Sequence, residues 1–255
     1  MWLVINRFWR LLATAVCFGI FGLGGLIISF ILIPLIRISC PTQEKREYRV
    51  QALIRLAFSL FCKIMKFSGA MDYKFSGIEK LTNDRHCLLI ANHPTLIDYV
   101  LITSQLKQCD CLVKSDIWSN PFIKHIVNAA GYIPNKTPDD LIKACETRLN
   151  KGNVLLIFPE GTRTTQGKSP TLRRGAAQVA IRTQTDLRII HISVSPSFLT
   201  KEKMWYKVPR EKPVFHIEVK DKIEVRNFIQ ETDNPTLSAR RLNNYLAEVI
   251  FPNHQ

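Results

Sequence analysis

The chain has 255 residues, of which 46% are hydrophobic, and a formal charge of +14 at neutral pH. This length fits one α/β domain, or one domain with a small appendage, and the sequence contains no internal repeat or low-complexity tract. The charge attracts anionic partners such as nucleic acid, anionic lipid headgroups or an acidic protein, but it does not choose among them, and it also suits a solubilising surface.

The seven cysteines are scattered and lack the paired spacing of a zinc cluster. Cys109 and Cys111 lie in an apolar stretch that is typical of a strand, in which alternate residues share one face. We therefore predict reduced, structural cysteines, as expected in a reducing compartment, and no metal site.

The N-terminal segment is long and apolar, with no charged side chain between Leu11 and Ile36. As a helix this stretch would be about 39 Å long, which exceeds the roughly 30 Å hydrocarbon core of a bilayer. A secretory signal has a shorter apolar region and a small-residue cleavage site. The segment is therefore predicted to be an uncleaved membrane anchor.

Charge on either side of this segment indicates its orientation. Arg7 and Arg10 precede it, and a larger basic cluster follows it, comprising Arg37, Lys45, Arg46 and Arg49. The positive-inside bias then places the C-terminal side in the cytoplasm, and in a bacterium the membrane would be the inner membrane.

Two geometries remain open for the anchor. The segment has the length of a single span, but Gly19, Gly22, Gly24, Gly25 and Pro34 favour a bend. A bent segment would enter one leaflet as a shallow hairpin.

A second segment, from Arg49 to Phe67, has the pattern of a basic amphipathic helix. Apolar residues such as Leu53, Ile54 and Phe61 are interrupted by basic ones. Such a helix suits the membrane interface, with lysines reaching headgroups. A core helix that covers a sheet has the same pattern, and both interpretations hold if they apply to different faces.

From Tyr73 onward short apolar runs alternate with longer amphipathic ones. The predicted strands are Tyr73–Ser76, Cys87–Ala91, Cys109–Lys114, Val154–Phe158, Ile189–Val194 and Val214–Val219. The predicted helices are Leu96–Gln105, Pro121–Ala130, Asp139–Leu149, Arg174–Arg182 and Thr236–Ile250. The pattern predicts an α/β fold whose mainly parallel or mixed sheet is flanked by helices, with residues 1–70 as a membrane-anchoring helical region and residues 71–255 as the α/β domain. The polar stretch Thr164–Pro170 is predicted to be a mobile loop.

The first group of candidate residues follows the strand Cys87–Ala91. Pro94 pushes His93 away from helical dihedral angles and itself suits the first turn of a helix, so His93 should lie at a strand-to-helix corner. Asp98, on the first turns of that helix, can then reach the imidazole, fix its tautomer and leave the other nitrogen as a base. A lone histidine at such a corner is more often a capping or surface residue. Because the chain has no Gly-x-Ser-x-Gly element, the histidine would activate a hydroxyl of the substrate.

The second group follows the strand Val154–Phe158 as Pro159-Glu160-Gly161-Thr162-Arg163. Gly161 permits an unusual turn, Arg163 can grip a phosphate, Glu160 can orient that arginine or accept a substrate hydroxyl, and Thr162 adds a hydroxyl donor. The basic residues Arg173 and Arg174, at the start of the next helix, disfavour that helix and suit a nearby phosphate. Taken alone, such a segment is more often a tight turn with a surface ion pair.

Together the two groups resemble the glycerolipid acyltransferase family, whose type member is the 1-acylglycerol-3-phosphate acyltransferase. That family carries Asn-His-x4-Asp, a Gly-centred middle motif, Phe-Pro-Glu-Gly-Thr-Arg and a late motif with valine and proline. This sequence matches the first from Asn92 to Asp98, the third from Phe158 to Arg163, and the last at Ile192-Ser-Val194-Ser-Pro196. The resemblance covers roughly residues 75–196.

The sequence departs from the family at two places. The middle motif often ends in arginine, whereas here Gly131-Tyr-Ile-Pro-Asn135 is followed by Lys136, which keeps the charge without the fork geometry. The late motif has Ser193 and Ser195 where apolar residues are common. Both departures bear on the identity of the acceptor more than on the type of reaction.

The resemblance implies a membrane-bound O-acyltransferase in phospholipid biosynthesis with His93 and Asp98 as catalytic residues. His93 would be the base for an acceptor hydroxyl that attacks an acyl thioester of coenzyme A or acyl carrier protein, and Asp98 would orient it. Glu160, Gly161, Thr162, Arg163 and Lys136 would bind the acceptor, such as 1-acylglycerol-3-phosphate. The expected partners are membrane lipids and the thioester carrier, with no metal, cofactor or nucleic acid.

Four other functions remain as alternatives. The nearest is the same chemistry on another lipid or glycolipid acceptor. A thioester hydrolase, a non-catalytic membrane adaptor on the same fold and a nucleic-acid-binding protein are more remote, the last because the basic residues are dispersed rather than interleaved with aromatics.

Overall fold

The N-terminal segment is one continuous helical rod in the computed structural model, which describes residues 2–113, 118, 121–134, 137–165, 171–230 and 234–251. It comprises α1 (Trp2–Ile27), a π-helical turn (Ile28–Leu32) and α2 (Ile33–Ser39). The helix passes through the glycines without a hairpin. The wider π turn ends two residues before Pro34, whose ring lacks an N–H and crowds the preceding turn of a helix. Residues Val4–Ser39 are long and apolar enough to cross a membrane by length and composition.

Helix α3 (Gln43–Phe67) runs back beside this rod, after a turn at residues 40–42. Its two faces differ, since Val50, Phe61 and Met65 are buried whereas Leu56 and Phe67 are exposed. One face therefore covers the sheet, as the core interpretation predicts, and the other presents apolar side chains outward; contact of that second face with a membrane interface stays a prediction.

The sheet has seven strands in the order β1-β7-β6-β2-β5-β3-β4. They are β1 (Asp72–Ser76), β2 (Cys87–Ala91), β3 (Asp110–Val113), β4 (Ile133–Pro134), β5 (Val154–Ile157), β6 (Leu187–Ser195) and β7 (Val214–Ile223). Every neighbouring pair is parallel except β6 and β7, which are antiparallel. The mixed sheet confirms the predicted fold class.

Helices connect the strands and end close to the predicted positions. After a 3₁₀ turn (Ile78–Leu81) they are α4 (Asp98–Thr103), α5 (Pro121–Ala129), α6 (Pro138–Asn150), α7 (Gly175–Thr183), α8 (Arg226–Gln230) and α9 (Pro235–Ile250). The predicted helix Leu96–Gln105 was too long, because the Leu96 N–H donates to the Leu199 carbonyl instead of joining a helix.

The sheet is covered on both faces because its strands alternate between two cores. Leu89 of β2 faces a core shared with α1, α3 and α4, whereas Leu88 faces a core shared with α6, α7 and α9. A third apolar cluster joins Ile33 at the far end of the rod to Val50 and Val127. The N-terminal helices thus share a core with the sheet, while the division of the chain at residue 70 stays a prediction.

A buried polar network holds α3 against the strands. The Gln51 amide donates to the Asp110 carboxylate at 2.8 Å and to the Ala130 carbonyl at 2.9 Å. Arg148 of α6 pairs with Glu47 of α3 and donates to the Gly131 carbonyl at 2.7 Å. Buried polar groups are costly without partners, so these bonds fix the register of α3 on the domain.

The seven cysteines are all buried and unpaired. Burial raises the pKa of the Cys111 thiol to about 12. This geometry agrees with their predicted structural role, since a buried neutral thiol behaves as a small apolar side chain.

Candidate active site

The two motifs meet because β2 and β5 are neighbours in the parallel part of the sheet. Their register pairs Cys87 with Val154 and Ile90 with Ile157. The chain therefore leaves both strands at the same rim, where ligand sites of such folds gather. This places His93 and the segment Phe158–Arg163 side by side, as the sequence predicted.

The His93 imidazole is held by Asp98. Nδ1 lies 2.9 Å from Oδ2 of Asp98, whose side chain is completely buried, whereas the His93 side chain is 22% exposed. Such a bond fixes the ring with a proton on Nδ1 and directs Nε2 outward as a base. No hydrogen bond to Nε2 is formed within the described part of the chain, so this nitrogen is open to a ligand.

Thr95 completes the surroundings of Asp98. Its backbone N–H donates to Oδ2 of Asp98 at 2.7 Å, and its hydroxyl donates to Oδ1. Burial raises the pKa of Asp98, while the bonds from His93 and Thr95 oppose that rise by favouring the carboxylate. Three donors thus hold a buried carboxylate beside the imidazole, where it stabilises positive charge on the ring.

Glu160 ties the two motifs together through the backbone. Its Oε1 accepts the His93 backbone N–H at 2.8 Å and the Thr164 hydroxyl at 3.0 Å. In return, the Thr164 N–H donates to the His93 carbonyl at 2.7 Å. Burial raises the pKa of Glu160, with the His93 N–H acting in the opposite direction. The hydrogen bonds of Glu160 therefore fix the backbone corner at His93, and none of them goes to Arg163.

Two further contacts fix the corner. The Asn92 amide exchanges two 2.7 Å hydrogen bonds with the backbone of Ile192 and so continues the sheet pairing past the end of β2. The His93 ring stacks on Phe158 with centroids 4.4 Å apart. The Phe158 ring therefore covers one face of the imidazole and restricts its movement.

Gly161 and two arginines form the polar side of the rim. Gly161 has φ +66°, which strains a residue with a side chain, and a Cβ there would come within 2.8 Å of Arg173 Nε, so the arginine would have to move. The Arg163 guanidinium lies near the Leu199 and Thr200 carbonyls at 3.4 and 3.3 Å through one nitrogen. The planar guanidinium has five N–H donors, so it retains donors for an anion.

The remaining predicted site residues divide into two groups. Thr162 is exposed and lies on the rim beside Arg163. Arg174 is exposed at the N-cap of α7. Lys136, together with Asn135, lies outside the described residues, as does the 166–170 part of the loop that was predicted to be mobile.

A large apolar cavity of about 1380 Å³ opens at this rim. It begins at His93, Phe158 and the two arginines and extends between the N-terminal helices, where Gly24 and Gly25 form part of its wall. Drug-sized ligand pockets range over roughly 300–1,000 Å³, so this one accommodates a longer apolar group. The arrangement places the His93 imidazole between a rim that carries two arginines and an apolar interior.

Sequence analysis missed several groups of this site. Thr95 had a local signal, because Thr-x-x-Asp is a helix-start pattern in which the acid reaches back to the first residue. Tyr99 and Tyr132, whose hydroxyls lie 2.5 Å apart in the cavity wall, had no local sequence signal. Their contact joins residues 33 positions apart, which spacing alone does not reveal.

Comparison with known proteins agrees with this geometry. Residues 72–196 match the family model described as Acyltransferase. The chain is 31% identical over 113 residues to a chloroplastic 1-acyl-sn-glycerol-3-phosphate acyltransferase of Arabidopsis thaliana, covering 42% of this chain and 32% of that protein. It is 30% identical over 108 residues to a 1-acyl-sn-glycerol-3-phosphate acyltransferase of Helicobacter pylori, covering 40% and 46%. The chain thus spans less than half the length of these relatives.

A solved structure extends the comparison to the whole fold. The crystal structure of the 1-acyl-sn-glycerophosphate acyltransferase PlsC from Thermotoga maritima superimposes with a TM-score of 0.69, covering 100% of this chain and 97% of that one at 16% identity. At this identity the similarity shows a shared fold. Taken with the matched motifs, these findings show that residues 72–196 match the acyltransferase family model and that the chain resembles the 1-acylglycerol-3-phosphate acyltransferases.

Proposed function

We propose that the chain is a membrane-bound O-acyltransferase that moves an acyl group from a thioester to a hydroxyl of a lysophospholipid such as 1-acylglycerol-3-phosphate, in phospholipid biosynthesis. The thioester carrier is coenzyme A or acyl carrier protein. One observation carries the proposal: His93, oriented by the buried Asp98, lies where an arginine-bearing rim meets a cavity of about 1380 Å³.

The reaction follows from these positions. Nε2 of His93 takes the proton of the acceptor hydroxyl as its oxygen attacks the thioester carbonyl, and Asp98 stabilises the imidazolium that forms. The tetrahedral intermediate collapses with cleavage of the C–S bond, and the imidazolium returns the proton to the departing thiolate. An ester and a free thiol result, and His93 regains its starting state.

The polar rim and the apolar cavity suit the two ends of the substrates. The guanidinium of Arg163, with Arg173 nearby, provides charged donors for an acceptor phosphate. The cavity between α1, α3 and the sheet provides an apolar environment for an acyl chain.

The contacts of the N-terminal rod favour insertion into one leaflet over a perpendicular span. Near its start, Arg7 Nε donates to the Val208 carbonyl at 3.0 Å, and near its end Ile33 packs with Val50 and Val127. A helix with both ends on one globular domain lies along that domain. Its outward side chains Phe8, Leu12, Val16 and Leu23 are exposed, which suits contact with lipid. Because thioester carriers are cytosolic, we propose that the domain faces the cytoplasm.

The closest alternative acceptor is another lipid or glycolipid hydroxyl, since the residue that replaces the usual arginine of the middle motif is Lys136. Release of free thiol should be measured with purified protein, palmitoyl-CoA or palmitoyl-acyl carrier protein, and a panel of acceptors. We expect the fastest release with 1-acylglycerol-3-phosphate and little release without an acceptor. Faster release with a phosphate-free lipid would favour the alternative acceptor, and equal release without any acceptor would indicate a hydrolase.

A further inference from the structure

Residues 201–212, which follow the late motif and precede β7, form an exposed loop with an apolar tip. Met204, Trp205 and Tyr206 are 56%, 44% and 47% exposed. Three adjacent large apolar side chains at the tip of a loop are unusual on a surface that faces only water. Tryptophan and tyrosine are also the residues enriched at membrane–water interfaces.

This loop has a defined shape. Turns close it at both sides of the tip, where the Lys203 N–H donates to the Thr200 carbonyl and the Lys207 N–H donates to the Met204 carbonyl at 2.9 Å. Val208 is 2% exposed and anchors the returning chain in the core. The two turns and the buried Val208 therefore hold the tip in a defined position at the surface.

The N-terminal rod braces the loop as well. Arg7 donates to the Val208 carbonyl, and Arg10 donates to the Pro209 carbonyl at 2.8 Å and to the Arg210 carbonyl. At the tip, the Trp205 ring meets Phe18 of α1 with centroids 6.4 Å apart. The exposed aromatic tip is thus continuous with the apolar outer surface of α1.

The charge of the loop matches one kind of partner. Residues 201–212 contain five basic and two acidic side chains, and the basic ones are Lys201, Lys203, Lys207, Arg210 and Lys212. All five are exposed, and two of them, Lys203 and Lys207, immediately flank the aromatic tip. Lysines beside interfacial aromatics attract the anionic headgroups of a bilayer while the rings enter the headgroup region.

We propose that residues 201–212 form a second membrane-contact element, which binds anionic phospholipid headgroups beside the N-terminal rod. This inference rests on the membrane attachment proposed above. The loop adjoins the active site directly, because Leu199 and Thr200 pair with Leu96 and Thr95 and also lie against Arg163. Docking of the loop therefore sets the acceptor-binding rim at the level of the headgroups, where a lysophospholipid presents its hydroxyl.

The position of Trp205 in a membrane tests the proposal. The full chain is reconstituted in phosphatidylcholine vesicles, with or without phosphatidylglycerol, whose chains are brominated near the headgroup. Trp205 is made the single reporter by Trp2→Phe, Trp9→Phe and Trp118→Phe. We expect loss of Trp205 emission on bromination, with the greater loss in the vesicles that contain phosphatidylglycerol.

Two other single-tryptophan proteins are the controls. One retains Trp9 of α1, which is 54% exposed, and reports on the rod. The other combines Tyr245→Trp with Phe at all four native tryptophans and reports on α9, across the sheet. We expect quenching of the first and none of the second. Quenched Trp9 with unquenched Trp205 would overturn the loop assignment alone, whereas unquenched emission from both would also contradict membrane attachment by the rod.

Substitution of the loop lysines tests whether the loop binds anionic headgroups. In the Trp205 reporter, Lys201→Gln, Lys203→Gln and Lys207→Gln together should remove the extra quenching in phosphatidylglycerol vesicles. The matched variant carries Lys143→Gln, Arg226→Gln and Arg240→Gln, which are exposed positions on α6, α8 and α9, and it should behave as the parent. Equal quenching in both vesicle types for all three proteins would overturn anionic lipid as the partner.

Discussion

The corner at His93 and the cavity wall are built in opposite ways. At the corner, His93, Thr95, Asp98 and Glu160 are connected by short polar bonds, and each residue lies within one of two short segments. The cavity wall is lined mostly by apolar side chains, and it is formed largely by helices from distant parts of the chain. Under the proposed function, catalysis would depend on the local hydrogen-bonded residues of the corner, whereas the choice of acyl chain would depend on how the helices pack.

This difference implies that substitutions at the two regions should have separable effects. Changes at the corner should alter the rate for every donor and acceptor. Changes on the arginine rim should alter the response to the acceptor phosphate, and changes on the wall should alter the response to donor length.

The largest effect is expected at the corner itself. His93→Ala removes the general base, and loss of such a group lowers a rate by about 10²–10⁴-fold. Initial rates of thiol release should fall by this factor with all donors and acceptors, while circular dichroism and vesicle binding stay unchanged. The control His216→Ala changes an exposed histidine of β7 and should retain full activity.

The next effect concerns the rim. Arg163→Gln removes a charged donor, and hydrogen bonds to charged groups contribute enough to predict a roughly 10- to 100-fold loss of kcat/KM with a phosphate-bearing acceptor. A phosphate-free acceptor should show a much smaller loss. Arg240→Gln, at an exposed position on α9, serves as the control. Equal losses with both acceptors would show that Arg163 supports the fold of the rim instead of binding phosphate.

Donor length is the matching test of the wall. A Cβ on Gly25 meets no atom within 4 Å, and Gly25 lines the cavity, so Gly25→Leu should fill space that an acyl chain would occupy. Each excluded methylene should cost about fourfold in kcat/KM, from about 0.8 kcal/mol per methylene, so long donors lose rate and short ones retain it. Gly19→Leu, on the exposed side of α1, should leave the length profile unchanged. A uniform loss over all donors would contradict this role of the wall.

The smallest effect concerns stability at the corner. Burial raises the pKa of Glu160 above its ordinary 4.5, so the folded protein holds this proton more tightly than the unfolded chain does. The stability that Glu160 contributes is fully present below pH 4.5 and falls as pH rises through the raised pKa. Thermal midpoints of the wild type, measured against Glu160→Gln, should therefore drop across that window. Parallel curves for the two proteins would contradict the raised pKa.

The corner was accessible to sequence reasoning because its main signals are local. Apolar runs ending at Ala91 and Phe158 predicted strands, and the polar residues after each run predicted a shared rim. The partner of Glu160 was not accessible, because the hydrogen bond goes to the backbone of His93, 67 residues away. Almost every residue type has a backbone N–H, so a hydrogen bond to the backbone cannot be recognised from the identity of the partner residue.

The rest of the fold shows the same limit. All six predicted strands exist, but β4 has two residues and too little pattern to detect. The continuous rod replaced the possible hairpin at the glycines, since packing of α1 on α3 and the sheet overrides the low helix propensity of glycine. The wall of the cavity arises from that packing, and periodicity within one segment does not predict it.

The most direct test of the central claim is the mass of the lipid product. Purified wild type and His93→Ala are incubated with palmitoyl-CoA and a pool containing 1-acylglycerol-3-phosphate, a lysophospholipid with a larger headgroup and a phosphate-free lysolipid. We predict that the wild type produces mainly the diacyl form of 1-acylglycerol-3-phosphate, with one thiol released per ester formed, and that His93→Ala produces almost none. An undiminished ester yield from His93→Ala, or free palmitate as the main wild-type product, would contradict the account.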